Sequence, residues 1–368
     1  MRTLPRSSAV LSPLSTTTSI RSRISSRCFH CSSRLWAIAH PVTAHGPPPK
    51  APVPAPGFGE PVEQRKKQAE LIQEGKEAPT QPSKPSTTIR KRFWKDVHVK
   101  ETPDGYQVLL DTRPIRTPAK TVLTIPSTKS HLAEAIALEW DLLISAQQAL
   151  KQHMIPLTSL TSRADDIARE DQRGRTEIRQ EILRTVMRYL ETDTLLCWVP
   201  EKKFHDPEPV EEAEAGERET LRNKQMRVAQ QIIGFLTQEL WPGIEIKPIL
   251  DADSIMPVSQ PQATIDVIRE WILDLPAYEL AALERAVIAS KSLLVAVRLI
   301  VEWSEHFRHL QRHGRPRFGV EEAAEASSLE VRHQTDMWGE VEDSHDVDRE
   351  DLKRQLGSVI LLVSGETR

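Results

Sequence analysis

The apolar residues follow two different periods along the chain, and the change comes at Pro126. Before it, residues 97–99 and 106–110 alternate apolar with polar side chains, as half-buried strands do. A Pro-Asp-Gly turn lies between the two runs and predicts a β-hairpin. With a further strand predicted at 122–125, residues 89–126 form a small β-rich subdomain.

After Pro126 the apolar period becomes helical. Leu132, Ile136 and Trp140 are spaced as one stripe of an α-helix. Further helices are predicted at 175–190, 218–240, 261–273, 277–289, 290–309, 320–338 and 346–363, with one short strand at 244–248. Strands first and helices afterwards indicate an α+β fold, in which a β-rich N-terminal subdomain precedes a mainly α-helical subdomain at residues 127–368.

The N-terminal part has a composition of its own. Residues 1–59 contain no Asp or Glu and carry a charge of +7, which leaves −10 for the remainder of a chain whose net charge is −3. Arg, Ser and Thr without acid are typical of a mitochondrial transit peptide, which we assign to residues 1–40. The alternative is a disordered basic tail that contacts nucleic acid. Residues 41–88, rich in proline, are predicted to be a linker.

Several classes of protein are excluded by composition and motifs. The net charge argues against a nucleic-acid binder, and no uncharged apolar run is long enough to cross a membrane. Glycine-rich phosphate loops, nucleophile elbows and zinc-protease motifs are absent from the sequence. Cys28 and Cys31 resemble half a metal site but fall in the predicted leader. We therefore expect no metal, cofactor, nucleic acid, membrane insertion or small-molecule substrate.

Two clusters of polar residues leave alternatives open. Asp165, Asp166 and Asp171 are spaced like the Mg²⁺-diphosphate motif of all-α prenyl synthases, or else form a solvated helix face neutralised by arginines. A second cluster, His306, His309 and a third histidine four residues on, could share a helix face. Because arginines surround these histidines, a basic helix end is the preferred interpretation over a zinc site.

An acidic segment follows the helix predicted at 320–338. Gly339 suits the end of that helix, and seven acidic residues lie between 340 and 351. Negative charge at a helix C-terminus is unfavourable, which indicates that the charge serves a purpose. The alternative is that the acids lie at the start of the next helix, where their charge is favourable.

Several stretches of sequence, in order and at matching spacing, resemble the mitochondrial F1-ATPase assembly chaperones that act on the α subunit, the assembly factor 2 family. They run from position 92 to the C-terminal region: 92–97 (RFWKDV), 108–118 (VLLDTRPIRTP), 125–126 (IP), 139–141 (EWD), 156–158 (PLT), 164–166 (ADD), 192–197 (TDTLLC) and 329–339 (LEVRHQTDMWG). The family's Trp-Asp-Pro block after Gln225 is missing here.

The resemblance implies a two-part fold and a chaperone without catalysis that holds the newly imported α subunit in the mitochondrial matrix. It also implies that Glu330 is part of the contact. The charge of the acidic segment permits Trp338 and Glu340 to take part, although core packing is the preferred interpretation for Trp338 alone. A Mg²⁺-dependent prenyl-type enzyme and a matrix adaptor with another client are the competing functions.

Overall fold

The computed structural model describes residues 91–200, 219–249, 257–311, 314 and 316–366. The predicted transit peptide at 1–40 and the linker at 41–88 lie outside the described residues.

The described part begins with a three-stranded antiparallel sheet in the order β1-β2-β3. Its strands are β1 (Val97–Thr102), β2 (Gly105–Leu110) and β3 (Arg113–Pro114). The predicted hairpin of β1 and β2 is present, with Val97 opposite Leu110 and Thr102 opposite Gly105.

The strand predicted at 122–125 is wrong. The third strand is β3, and the later segment forms only two isolated bridges, Arg116 with Val122 and Tyr106 with Ile125. The two bridges go to different partner segments, so no two consecutive residues share one ladder. Tyr106 and Ile125 still exchange two backbone hydrogen bonds of 2.8 Å each.

Nine helices follow within the described residues. They are α1 (Ser130–Asp141), α2 (Pro156–Gln172), α3 (Glu177–Leu190), α4 (Leu221–Phe235, continued by one π turn at Leu236–Leu240), α5 (Gln262–Asp274), α6 (Ala277–Ser290), α7 (Leu293–Trp303), α8 (Val320–Trp338) and α9 (His345–Val363). The predicted α+β fold is therefore confirmed.

Two local predictions are corrected by backbone hydrogen bonding. The strand expected at 244–248 does not form, because the side chain of Gln260 binds both the N–H (2.9 Å) and the carbonyl (2.7 Å) of Lys247. The helix expected at 290–309 is only α7. It begins after Ser292, whose hydroxyl accepts the Val295 N–H, and ends before Ser304, which is extended.

The core is built around α6, which packs against α2, α3, α7 and α9. One buried apolar cluster includes residues of the sheet, such as Val108, and residues of the helices, such as Leu132 and Ile136. The stripe predicted for α1 is therefore buried, and Trp140 packs beside it with Nε1 donating to Thr158 Oγ1 at 2.9 Å. Among the described helices, not one combines the length and hydropathy that a bilayer crossing requires.

Candidate protein-binding surface

Helix α8 is bent at Ser328, whose φ of −125° and ψ of 19° are not helical. The hydroxyls of Ser327 and Ser328 donate to the carbonyls of Ala323 and Ala324 at 2.7 Å each. Serine hydroxyls that bind back to the preceding turn bend helices. The bend separates a packed first half of α8 from an unpacked second half.

The second half of α8, the turn after it and the first third of α9 form an extension of residues 329–350, which we call the acidic arm. None of its residues is buried. The arm is anchored at both ends, by alanines of α8 such as Ala326 and by apolar residues of α9 such as Leu356 and Val359. An ion pair of 2.9 Å between Lys353 and Glu321 joins the two helices at its base.

Apolar side chains lie exposed along the acidic arm. Val331 is 47% exposed, Trp338 72%, Val341 58% and Val347 54%. Val331 and Trp338 are seven residues apart, so they share one face of the helix. The core packing preferred for Trp338 is wrong, because α8 has its last buried residue at Ala326 and carries Trp338 well beyond it. Large exposed apolar side chains grouped on one segment are typical of a binding surface.

In the middle of the arm, between Arg332 and Arg349, the charge is of one sign. Between 333 and 348 there are six acidic residues and neither Lys nor Arg. Asp346 and Asp348 lie in the first turn of α9, as the helix-start interpretation predicts, where the helix dipole favours them. Glu340 lies in the turn between the helices and pairs with Arg349 at 3.1 Å.

Glu330 lies at the base of the acidic arm and is exposed. Its Oε1 accepts a hydrogen bond of 3.3 Å from Gln334 Nε2. Burial, followed by the charges of Asp193 and Glu330, raises the pKa of the Cys197 thiol, which places Glu330 near the segment before α4. A helix rises 1.5 Å per residue, so Glu330 and Trp338 stand about 12 Å apart along α8. The three candidate residues Glu330, Trp338 and Glu340 thus belong to one arm.

Sequence reasoning missed the three exposed valines of the arm. The only signal was the seven-residue spacing of Val331 and Trp338, which is equally typical of a buried stripe.

Two of the three aspartates of the prenyl-synthase alternative are paired with arginines. Asp165 pairs with Arg169 at 2.8 Å, and Asp171 receives two hydrogen bonds of 2.7 Å from Arg179. For Asp166, partial burial and then the neighbouring Asp165 raise the carboxyl pKa. In the described ranges there is no group of three His, Cys, Asp or Glu side chains that could hold a metal ion.

The histidine cluster does not form a helix face. His306 and His309 lie beyond the end of α7, where a short 3-10 turn at Arg308–Leu310 replaces the expected helix. His306 packs its ring edge against Phe307. The third histidine, His313, lies outside the described residues.

Comparisons with known proteins agree with this architecture. A family profile described as "ATP12 chaperone protein" matches residues 91–237. The mitochondrial atp12 protein of Schizosaccharomyces pombe is 32% identical over 275 residues, covering 74% of this chain and 81% of that protein. The mitochondrial ATP12 protein of Saccharomyces cerevisiae is 28% identical over 295 residues, covering 76% of this chain and 85% of that protein.

The fold also matches a solved structure. The crystal structure of Atp12 from Paracoccus denitrificans superposes with a TM-score of 0.52 at 22% identity, covering 75% of this chain and 98% of that chain. The chain belongs to the ATP12 chaperone family of F1 assembly factors, the family that its motifs resemble, and is a mitochondrial chaperone rather than an enzyme.

Proposed function

We propose that this chaperone binds the free α subunit of F1-ATPase in the mitochondrial matrix and covers the surface that will contact the β subunit until the two assemble. Membership of the ATP12 family supports a role in F1 assembly. The observation that carries the proposal is the acidic arm: a stretch of 22 residues with no buried side chain and four large exposed apolar ones.

The proposed role has a simple physical basis. A subunit that is stable only in an oligomer exposes apolar surface when it is alone, and such surface aggregates. The arm offers apolar contact through Trp338 and its neighbouring valines, and the carboxylates around them favour a client surface that is basic at its rim. Because the chaperone must yield its client to the β subunit, a small and partly polar contact suits the task better than an obligate interface.

Within the arm, the three candidate residues have different roles. Trp338 is the apolar anchor, since tryptophan most often dominates the energy of a contact. Glu330 and Glu340 lie at the base and the tip of the arm, and we assign them to orientation of the client through charge. An adaptor with another matrix client would use the same surface, so the choice of client is decided by experiment.

The test is suppression of aggregation. The processed chaperone, purified from mitochondria, is added to α subunit diluted from denaturant, and light scattering is followed without ATP. Near-stoichiometric suppression is expected, with weaker suppression by Glu330→Lys and Trp338→Ala. Two exposed residues outside the arm give matched controls, Glu134→Lys and Leu150→Ala.

If the chaperone leaves the light scattering of the α subunit unchanged but suppresses aggregation of a different matrix protein, that other protein is the client. If an arm variant and its matched control lose the same amount of aggregation suppression, the arm is not part of the contact with the client.

A further inference from the structure

A groove of about 610 Å³ lies between α3 and α5, outside the acidic arm. Its floor is apolar and includes Leu183, Met187 and Ile265. Three arginines line it: Arg184 and Arg188, one turn apart on α3, and Arg269 on α5. We call it the arginine groove. It presents apolar surface bordered by positive charge, whereas the acidic arm presents apolar side chains bordered by negative charge.

The three arginines are not engaged in holding the fold together. Arg184 donates to the carbonyl of Gln180 in its own helix at 3.1 Å, and among the described residues none of the three is in an ion pair. Nearby arginines behave differently, since Arg163 binds Glu284 through two hydrogen bonds and Arg179 binds Asp171 in the same way.

The lining of the groove contains one acidic residue, Glu191, among the described residues. Its positive charge is therefore largely uncompensated. Arginines that are exposed, unpaired and grouped around an apolar floor are suited to bind a ligand that is both acidic and apolar.

The acidic arm has that chemistry. Its tip carries six carboxylates between 333 and 348 and the exposed side chains of Trp338, Val341 and Val347. We propose that the acidic arm of one copy of this chain binds the arginine groove of a second copy. In this contact Trp338 lies on the apolar floor, and carboxylates of the arm pair with Arg184, Arg188 and Arg269.

Stacking of arginine on an aromatic ring, which this contact requires, already occurs within the fold. Arg317 lies over the ring of Trp303, 4.7 Å from its centroid, and Arg298 lies 3.8 Å from the ring centroid of Phe235. Arginine that stacks on an aromatic ring can bind a carboxylate with the same guanidinium. In the proposed contact, the groove arginines stack on the ring of Trp338 and bind carboxylates of the arm at the same time.

The surfaces that meet are different on the two copies, so the contact is heterologous. Only the tip of one helical hairpin enters one groove. We therefore expect a weak interface that buries less than about 1,200 Å² of total accessible surface. Charge–charge attraction at its rim makes it sensitive to salt. Self-association therefore covers the apolar arm when the chaperone is concentrated and has no client. That last consequence rests on the proposed function, whereas the contact itself does not.

Sedimentation of the processed protein tests the contact. From about 1 to about 200 μM we expect the mean mass to rise above that of a monomer, with the association weakened at least about tenfold in about 0.5 M salt. The groove variant Arg184→Glu/Arg188→Glu and the arm variant Trp338→Ser should each remain monomeric over this range. Lys100→Glu/Arg113→Glu, the same charge change on exposed residues of the sheet, should associate like the unmodified protein.

A mixture of the two variants gives the sharpest outcome. The groove variant retains an intact arm and the arm variant an intact groove, so the mixture should form a complex that neither variant forms alone. Matching far-UV circular dichroism and melting temperatures establish that both are folded.

Monomeric unmodified protein at the highest concentration would overturn the proposal. So would association of either variant alone, or a mixture that fails to form a complex. The light-scattering assay separates this result from the proposed function. A groove variant that suppresses aggregation of the α subunit normally shows that client binding does not need the groove, whether or not the copies associate.

Discussion

The ammonium Nζ of Lys129 lies 2.8 Å from Oε1 of Glu305, in a position where the lysine side chain is only 2% exposed. The same Nζ donates to the carbonyls of Val363 at 3.1 Å and Ser364 at 2.8 Å. Lys129 directly precedes α1, Glu305 follows α7, and the two carbonyls close α9. A single buried cation thus joins three elements and fixes the C-terminal end of α9, the helix whose first residues belong to the acidic arm.

Replacement of Lys129 by methionine should destabilise the fold strongly. The variant keeps the apolar stem but removes the ammonium from the partly buried carboxylate of Glu305 and from both carbonyls, which leaves Glu305 Oε1 with the Thr128 hydroxyl at 3.3 Å and the Val363 carbonyl with the Glu305 N–H at 3.1 Å. Loss of one partner of a buried ion pair costs about 3–5 kcal/mol, and the partial exposure of Glu305 favours the lower end. Urea denaturation measures the change, with Lys151→Met at an exposed position as the control. A loss below about 1 kcal/mol would show that water replaces the ammonium.

Gly105 should not tolerate alanine. Its φ is +131°, and a Cβ at this position would collide with the carbonyl oxygen of Ile125, which accepts the Tyr106 N–H. We expect Gly105→Ala to lose more than about 1 kcal/mol of unfolding free energy. In α4, Gly234→Ala meets no atom within 4 Å and should gain about 0.5–1 kcal/mol, because glycine is a poor helix former. Equal effects of the two substitutions would contradict this account of Gly105.

Asp193 should make stability depend on pH. Burial raises the pKa of its carboxyl to about 6, against opposing hydrogen bonds from Ser292 and from the N–H groups of Leu294 and Leu195. Because the pKa in the folded state lies above the ordinary value, protonation favours folding. The stabilisation is complete below about pH 4 and is lost as the pH rises through 6.

The measurement compares the unmodified protein with Asp193→Asn, which cannot ionise. The unfolding free energy of the unmodified protein minus that of the variant should fall by about 2 kcal/mol from pH 4 to pH 7. A difference that stays level or rises with pH would mean that the hydrogen bonds outweigh burial.

Two tryptophans should separate stability from client binding. Trp94 is 1% exposed and Trp338 is 72% exposed. Trp94→Ala should cost about 3–5 kcal/mol of unfolding free energy, whereas Trp338→Ala should change it by no more than about 0.5 kcal/mol. In the same preparations, Trp338→Ala should weaken retention of the α subunit in a pull-down. A large loss of stability in Trp338→Ala would assign this residue to the fold instead of to the client.

The sequence predicted the helices well where an apolar stripe recurs, as with Leu132 and Ile136, because period alone identifies a helix and its buried face. It failed at the strand expected near Val122, since the partners of a strand depend on tertiary pairing. Trp140 and Trp338 both lie in helices, yet the first packs against the core and the second is exposed. Whether a helical side chain is buried depends on which other elements pack against its face of the helix, and the local sequence pattern does not give this.

The two charged surfaces were accessible from sequence to different degrees. The acidic arm is one continuous stretch, so its charge could be recognised before the fold was known. For the arginine groove, Arg184 and Arg269 had to be brought together by the packing of α3 on α5. No local pattern marks them as neighbours.

The bend at Ser328 has a consequence for protein engineering. From Ser328 to residue 350 no side chain is buried, and Leu352 is the first residue of α9 that packs against the core. Residues 329–350 can therefore be exchanged as one segment between relatives with little effect on packing in the body of the molecule, and such chimaeras test directly whether client preference moves with the segment.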